Sequence, residues 1–304
     1  MGGLLPEAPD PASYAEVKRT YDFAPAAEEI CRRHGISPAR LSRAASGTHP
    51  VFLTDDMAIK AFAPPWPEDF TAERAALRAA GGGSFPEIIH EGILEGWPYL
   101  VTTRTPGSPA GEIWHLLPFG DKESLLCDLG VMLRELHRAA VPPGPGTDWA
   151  AFASDLRATL ESRNDPPSAE WRDWLLCRTG RDPGPFEPVL LHADVTWDHV
   201  FVLRGEGGIR LTGLIDFGDA MPGHPLYEFG APLLYMCFGQ PALTWSLLSG
   251  YGLPKCRDTA ERVLACSLLH RFGSLGRWLG KVPAEDGRAF EEALFGFDLG
   301  SAGS

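Results

Sequence analysis

The sequence predicts an α+β protein in two lobes, a small N-terminal lobe built on an antiparallel sheet and a larger, mainly helical C-terminal lobe. Three observations predict it. Val51-Phe52-Leu53 and Met57-Ala58-Ile59-Lys60-Ala61-Phe62 are strand-like runs joined by the acidic turn Thr54-Asp55-Asp56, the signature of a hairpin. Thr105-Pro106-Gly107-Ser108-Pro109 has the composition of a hinge, and helical patterns dominate after it. Within that helical half, two aspartates each follow an apolar run typical of a buried strand: Asp194 after Leu190-Leu191, and Asp216 after Leu211 to Ile215.

The elements follow in order. Residues 13–34 carry Val17, Tyr21, Ala27, Ile30 and Cys31 at helical spacing, and Gly35 after Arg32-Arg33-His34 is a stop signal, so a helical preface is expected. After the hairpin, Glu68 to Ala80 reads as a helix ended by Gly81-Gly82-Gly83, and Tyr99 to Thr103 as a further strand. Leu125 to Arg138 reads as a long helix, Ala140 to Gly146 as Pro/Gly punctuation, and helices resume from Tyr227 to about Trp278. The expected lobes are residues 1–104 and 105–304. No internal repeat is present.

A chain of 304 residues, 44% hydrophobic and 22% charged, can bury a core in each lobe. With 27 Lys and Arg against 40 Asp and Glu, its net charge of −13 argues against sequence-independent binding of nucleic acid or an anionic membrane. The same acidity suits a cationic acceptor. Six scattered cysteines without a Cys-x-x-Cys pair read as reduced thiols. With no signal-like N-terminus and no window near ~20 apolar residues, the expected location is the cytoplasm.

Two carboxylates at strand ends suit phosphoryl transfer, in which positioning and charge neutralisation do most of the work. Asp194 is the candidate base that accepts or orients the acceptor hydroxyl. Asp216 is the candidate Mg²⁺ ligand, because a hard cation prefers carboxylate oxygen. Asp219, three residues on, reads as a further ligand or as a solvated or capping residue. Lys60 lies inside an apolar strand, where burial demands a negative partner. Ser46-Gly47-Thr48-His49 lies between strands and can cover phosphates with amides and hydroxyls, so Ser46 and Thr48 are nucleotide-site candidates. Thr102 and Thr103 open the expected hinge, whose backbone can meet a purine edge of ATP or GTP. No Gly-x-x-x-x-Gly-Lys-Ser/Thr motif is present, which disfavours a P-loop fold.

The stretch His192-Ala193-Asp194-Val195-Thr196-Trp197-Asp198-His199, followed by Leu214-Ile215-Asp216-Phe217-Gly218, resembles the aminoglycoside phosphotransferase family, hygromycin-type enzymes included, which has a two-lobed protein-kinase-like fold. The resemblance spans roughly residues 40 to 280. It implies an antibiotic kinase using ATP or GTP with Mg²⁺. Asp194 would be the catalytic carboxylate with His192 bracing its loop, and Lys60 would pair with nucleotide phosphates and with Glu73. Three positions depart from the pattern: Ala193 replaces a glycine, His199 an asparagine that helps bind metal, and His224 an aspartate in the turn Gly223-His224-Pro225. Imidazole is a poor Mg²⁺ ligand. His199 therefore acts through a water, or Asp198 takes over, or a single Mg²⁺ suffices. The acceptor, an antibiotic or sugar-containing molecule, is expected over the catalytic loop, near Trp197 and Asp198, and against helices carrying Tyr235, His270, Arg271 and Trp278.

Two rival readings stand beside this one. His192, Asp194, His199 and Asp216 could ligate Zn²⁺ or Mn²⁺ in a hydrolase. A kinase-like binding module without catalysis is the other, motivated by Ala193 and His199.

Overall fold

The computed structural model describes residues 3–7, 9–45, 47–163, 166–205 and 208–300. The chain divides into two compact units, Met1–Thr105 with Ile215–Asp219, and Pro106–Leu214 with Ala220–Ser304. The first break falls between Thr105 and Pro106. The return of residues 215–219 to the first unit was not foreseen, because no local signal in Ile215 to Asp219 tells which unit those residues join.

In the first unit the helical preface is two helices, α1 (Pro11–Thr20) and α2 (Ala24–His34). Asp10 caps α1 by accepting from the amides of Ala12 and Ser13. Pro25 sits in the first turn of α2, where its missing N–H costs nothing, and Gly35 ends the helix at φ 67°. The strands β1 (Ser42–Arg43), β2 (Val51–Leu53), β3 (Met57–Ala61), β4 (Ile88–Leu94) and β5 (Trp97–Thr103) form one antiparallel sheet in the order β1-β2-β3-β5-β4. The expected hairpin is β2–β3, with Phe52 opposite Ile59. Tyr14, Phe23, Ile30, Phe52, Ile59, Trp97 and Val101 pack α1 and α2 against this sheet. The helix α3 (Pro67–Ala80) ends at Gly81, φ 73°.

Thr102 and Thr103 are the last two residues of β5, in keeping with the strand expected over Tyr99 to Thr103. They pair with Ala58 and Met57 of β3, and the N–H of Thr103 donates to the carbonyl of Glu87 at 2.9 Å. The next amide, of Arg104, donates to Asp56. The sheet continues to Thr103 because β4 supplies a partner on its other side.

The second unit holds β6 (Ser108–Pro109), α4 (Phe119–Leu136), α5 (Trp149–Ala158), α6 (Leu160–Arg163), α7 (Ala169–Thr179), β7 (Val189–Leu191), β8 (Val200–Gly205), β9 (Gly208–Leu214) and β10 (Met221–Gly223). A 3-10 turn at Pro225–Phe229, α8 (Gly230–Pro232) and a π turn at Leu233–Cys237 follow, then α9 (Pro241–Tyr251), α10 (Arg257–Leu268), α11 (Leu275–Lys281) and α12 (Gly287–Phe295). The strands pair as β6-β8-β9 and β7-β10.

Helices α4 and α9 approach closely through glycines. A Cβ on Gly130 would lie 2.2 Å from the Leu247 carbonyl, and one on Gly250 would lie 2.0 Å from that of Cys127. Only glycine permits that approach. It brings Tyr251, the last residue of α9, to the residue that follows α4, His137.

Candidate active site

In the first unit, Lys60 extends from the middle of β3, and its Nζ lies 2.6 Å from Glu73 Oε2 on α3 and 2.7 Å from Asp216 Oδ1. Its side chain is 12% exposed, that of Glu73 8% and that of Asp216 32%. The buried strand lysine has thus found two negative partners, as burial requires. Burial alone would lower the pKa of Lys60, but Asp216 and Glu73 outweigh it and hold the ammonium charged. Glu73 is pushed up to about 7, first by burial and against the pull of Lys60, with the charge of Asp216 adding to the rise. Lys60 and Glu73 therefore hold their protons more firmly than free side chains would. Asp216 lies two residues past the end of β9 and has φ 67°, a left-handed conformation that aspartate tolerates better than most residues.

The loop Gly47–His49 is tied down around this triad. Tyr14 Oη donates to the Thr48 carbonyl at 2.8 Å. His49, only 3% exposed, shares its Nε2 proton with Asp69 Oδ2 at 2.9 Å, while its Nδ1 accepts from the amide of Ala63 at 3.0 Å. Burial leads in keeping His49 neutral. Ser46 lies outside the described residues.

In the second unit, β7 ends at Leu191 and the loop turns sharply, with Ala193 at φ 62°. A left-handed alanine costs on the order of 1 kcal/mol and needs support from both sides. It has that support. The Ala193 amide donates to Glu228 Oε1 at 2.9 Å, and its carbonyl accepts from His270 Nε2 at 3.0 Å. The His192 amide donates to Glu228 Oε2 at 2.8 Å. His192 is fully buried, and its Nδ1 accepts from the amide of Asp194 at 3.2 Å, so it braces the loop. His199 Nδ1 donates to the Asp194 carbonyl at 2.7 Å and stands 3.4 Å from Asp194 Oδ2. The loop that presents Asp194 is therefore held at His192, Ala193 and Asp194 in succession.

Glu228, which the sequence places only within the helical stretch that resumes at Tyr227, organises this loop. It is 0% exposed. Burial alone would raise its pKa, but the hydrogen bond from His137, the charges of His137 and His192 and the His192 amide outweigh that and leave it lowered. His137 Nε2 lies 3.1 Å from Glu228 Oε2, and His137 Nδ1 2.8 Å from Tyr251 Oη. His224 caps the 3-10 turn that carries Glu228, its Nδ1 accepting from Leu226 at 3.0 Å. No sequence signal could have joined these residues, which lie 36, 91 and 114 positions apart along the chain.

Trp197 packs against Phe238 at 5.2 Å, with Lys281 5.9 Å from the Trp197 ring. Asp198 is exposed in the same loop. Tyr235 lies in the π turn, half-buried. Arg271 has its guanidinium 4.9 Å from the Phe272 ring, and its amide donates to Tyr227 Oη. Trp278 is a core residue, 1% exposed.

Comparison with known proteins bears on the fold and the family. Viomycin phosphotransferase of Streptomyces vinaceus is 25% identical over 191 residues, 59% of this chain and 64% of that protein. Aminoglycoside 3'-phosphotransferase of Streptomyces ribosidificus is 27% identical over 158 residues, 49% of this chain and 58% of that protein. The match thus spans less than two thirds of the length of either relative. The GDP complex of aminoglycoside 2'-phosphotransferase-IIIa superposes with a TM-score of 0.66 at 20% identity, covering 88% of this chain and 94% of that one. An aminoglycoside phosphotransferase from Streptomyces rimosus in complex with ADP and streptomycin superposes at 0.53 and 16% identity, covering 81% and 98%. The fold is therefore the kinase-like α+β fold of these proteins. Residues 40–261 match the phosphotransferase enzyme family. Because that match takes in well over half of the chain, this protein belongs to the phosphotransferase enzyme family.

Proposed function

We propose that this protein moves the γ-phosphate of ATP or GTP to a hydroxyl of a small-molecule antibiotic or sugar-containing acceptor, and that it serves antibiotic inactivation or self-resistance. One observation carries the reading: Lys60, in the centre of the sheet, is held charged by Glu73 and Asp216. A fixed cation beside a partly exposed carboxylate suits the phosphates of a nucleotide and their metal ion. The relatives' names, which give viomycin and aminoglycosides as acceptors, support the acceptor class.

Asp194 accepts the proton of the acceptor hydroxyl as the new O–P bond forms, and the bond from the γ-phosphorus to the β-γ bridging oxygen breaks to release the nucleoside diphosphate. Its carboxylate needs a fixed loop for this, since positioning dominates the barrier. The donor set fits Mg²⁺, because Asp216 offers carboxylate oxygen and Mg²⁺ is held by one or two carboxylates together with substrate phosphates. Asp216 would hold the ion directly and His199 through water; the ion, when bound, neutralises charge on the triphosphate. The hydrolase reading loses ground here. His192 spends its Nδ1 on the Asp194 amide and Asp216 spends an oxygen on Lys60. Among the described residues no three His, Cys, Asp or Glu side chains form a metal-holding group.

A panel of antibiotics incubated with ATP or GTP and Mg²⁺, read by mass spectrometry for a phosphate-sized mass gain, tests the reading. Asp194→Ala should lower turnover by about 10²–10⁴-fold with the fold retained; equal turnover would remove Asp194 from its role. Nucleotide binding without transfer to any acceptor would favour the inactive binding module.

A further inference from the structure

Helix α1 lies before the residues that match the family, and the phosphoryl-transfer chemistry assigns it no task. Two of its side chains nonetheless end on the loop Gly47–His49. Tyr14 and Lys18, one helical turn apart and so on one face, donate to successive carbonyls: Tyr14 Oη to Thr48 at 2.8 Å, and Lys18 Nζ to Gly47. The peptide bonds of the described residues are all trans. In a planar trans peptide the carbonyl and the following N–H point in opposite directions. Capturing the carbonyls of Gly47 and Thr48 from α1 therefore turns the N–H groups of Thr48 and His49 away from α1. Successive amides turned to one side make a concavity suited to an anion.

The seat of α1 does not depend on that loop. Asp10 caps its start, and the Arg43 guanidinium of β1 donates to the Lys18 carbonyl at 2.7 Å near its end. The Tyr14 ring is 3% exposed and meets Trp66 edge-on at 5.0 Å. The loop is pinned at its far end as well, through the bonds of the His49 ring to Asp69 and Ala63. Gly47, at φ 113°, supplies the bend between these anchors.

We propose that α1 is a clamp that aims the amides of Thr48 and His49 at the phosphates of the nucleotide, with Tyr14 and Lys18 as positioning residues that do not touch it. This rests on the reading of the protein as a nucleotide-dependent phosphotransferase. Tyr14→Phe removes one hydroxyl and keeps the ring against Trp66; Lys18→Met removes the exposed ammonium and keeps a chain of similar length. The measurements are the dissociation constants of ATP or GTP and of the parent nucleoside, adenosine or guanosine, with KM and kcat for transfer.

The double variant should weaken triphosphate binding and raise its KM about tenfold, the equivalent of one to two hydrogen bonds, while nucleoside binding and kcat stay within twofold. Parallel losses for triphosphate and nucleoside would show a general structural role and overturn the clamp, as would an unchanged triphosphate constant. Wild-type protein that binds no triphosphate at all would instead overturn the phosphotransferase reading, and the clamp with it. Single variants that keep wild-type thermal midpoints guard against misfolding as the cause.

Discussion

Glu228→Gln isolates the support under the Asp194 loop. In the native protein the buried carboxylate receives three donors, the amides of His192 and Ala193 and the ring of His137, at 2.8, 2.9 and 3.1 Å. Hydrogen bonds to a charged acceptor are worth roughly 1 kcal/mol more than neutral ones, so neutralising it loses about 3 kcal/mol across the three. The glutamine amide must also place its NH₂ against one of those donors, which leaves a buried N–H without an acceptor at about 1–3 kcal/mol. The expected loss is thus about 4–6 kcal/mol, a large share of the ~5–15 kcal/mol that a domain commonly has. Urea unfolding reads it as a lower midpoint at unchanged slope. Asp194 is the residue directly after this pair of amides, so kcat should fall as well, by ~10²-fold for a displacement near 1 Å. A variant within about 1 kcal/mol of wild type and of equal kcat would refute the cradle.

Two further substitutions test the motif departures. Ala193→Gly relieves a left-handed alanine but gives up a buried methyl and loosens the unfolded chain, terms of about 1 kcal/mol each; stability within about 1 kcal/mol of wild type and unchanged kcat are expected, and a larger change in either measured quantity would contradict the support from Glu228 and His270. Burial, and after it Arg262, lowers the pKa of His224 from 6.5 to about 4. The unfolded chain then takes up this proton first, so stability should fall by about 3 kcal/mol as pH drops from 6.5 through 4. His224→Asn keeps an acceptor at the cap and should flatten that slope in urea midpoints measured from pH 7 to 4; an unchanged slope would refute the assignment.

Signals carried by neighbouring residues were legible. Gly35 and Gly81 end helices as expected, the Thr54-Asp55-Asp56 turn closes its hairpin, and Asp194 and Asp216 each follow a strand. The strand β4 was not legible, because its alternation is interrupted by a register shift between Ile88 and His90 and by Gly92, whose missing side chain leaves room for Tyr99. The neighbouring strand β5 was legible to its end, since Tyr99 to Thr103 reads as a strand and β5 closes at Thr103. Helix α12 also escaped notice, since it lies beyond the last family-like segment. The site divides the same way. Lys60 was conspicuous as a charge in an apolar strand, whereas Glu228, His137 and Tyr251 become a network only because Gly130 and Gly250 allow α4 and α9 to touch.

The three departures from the family-like pattern then share one explanation. At each of them the residue present takes part in holding the local backbone. Ala193 adopts a left-handed conformation, at a cost met by the bonds of its amide to Glu228 and of its carbonyl to His270. His224 accepts a backbone amide at a turn start, which is the task an aspartate would perform there, and burial keeps its acceptor nitrogen unprotonated at neutral pH. His199 turns its Nδ1 proton onto the Asp194 carbonyl, so its first task is to fix the loop. A loop that only had to bind would not need three separate anchors on the residues flanking one aspartate, whereas a catalytic carboxylate needs fixed placement. The three anchors around Asp194 favour the proposed phosphotransferase reading over an inactive binding module.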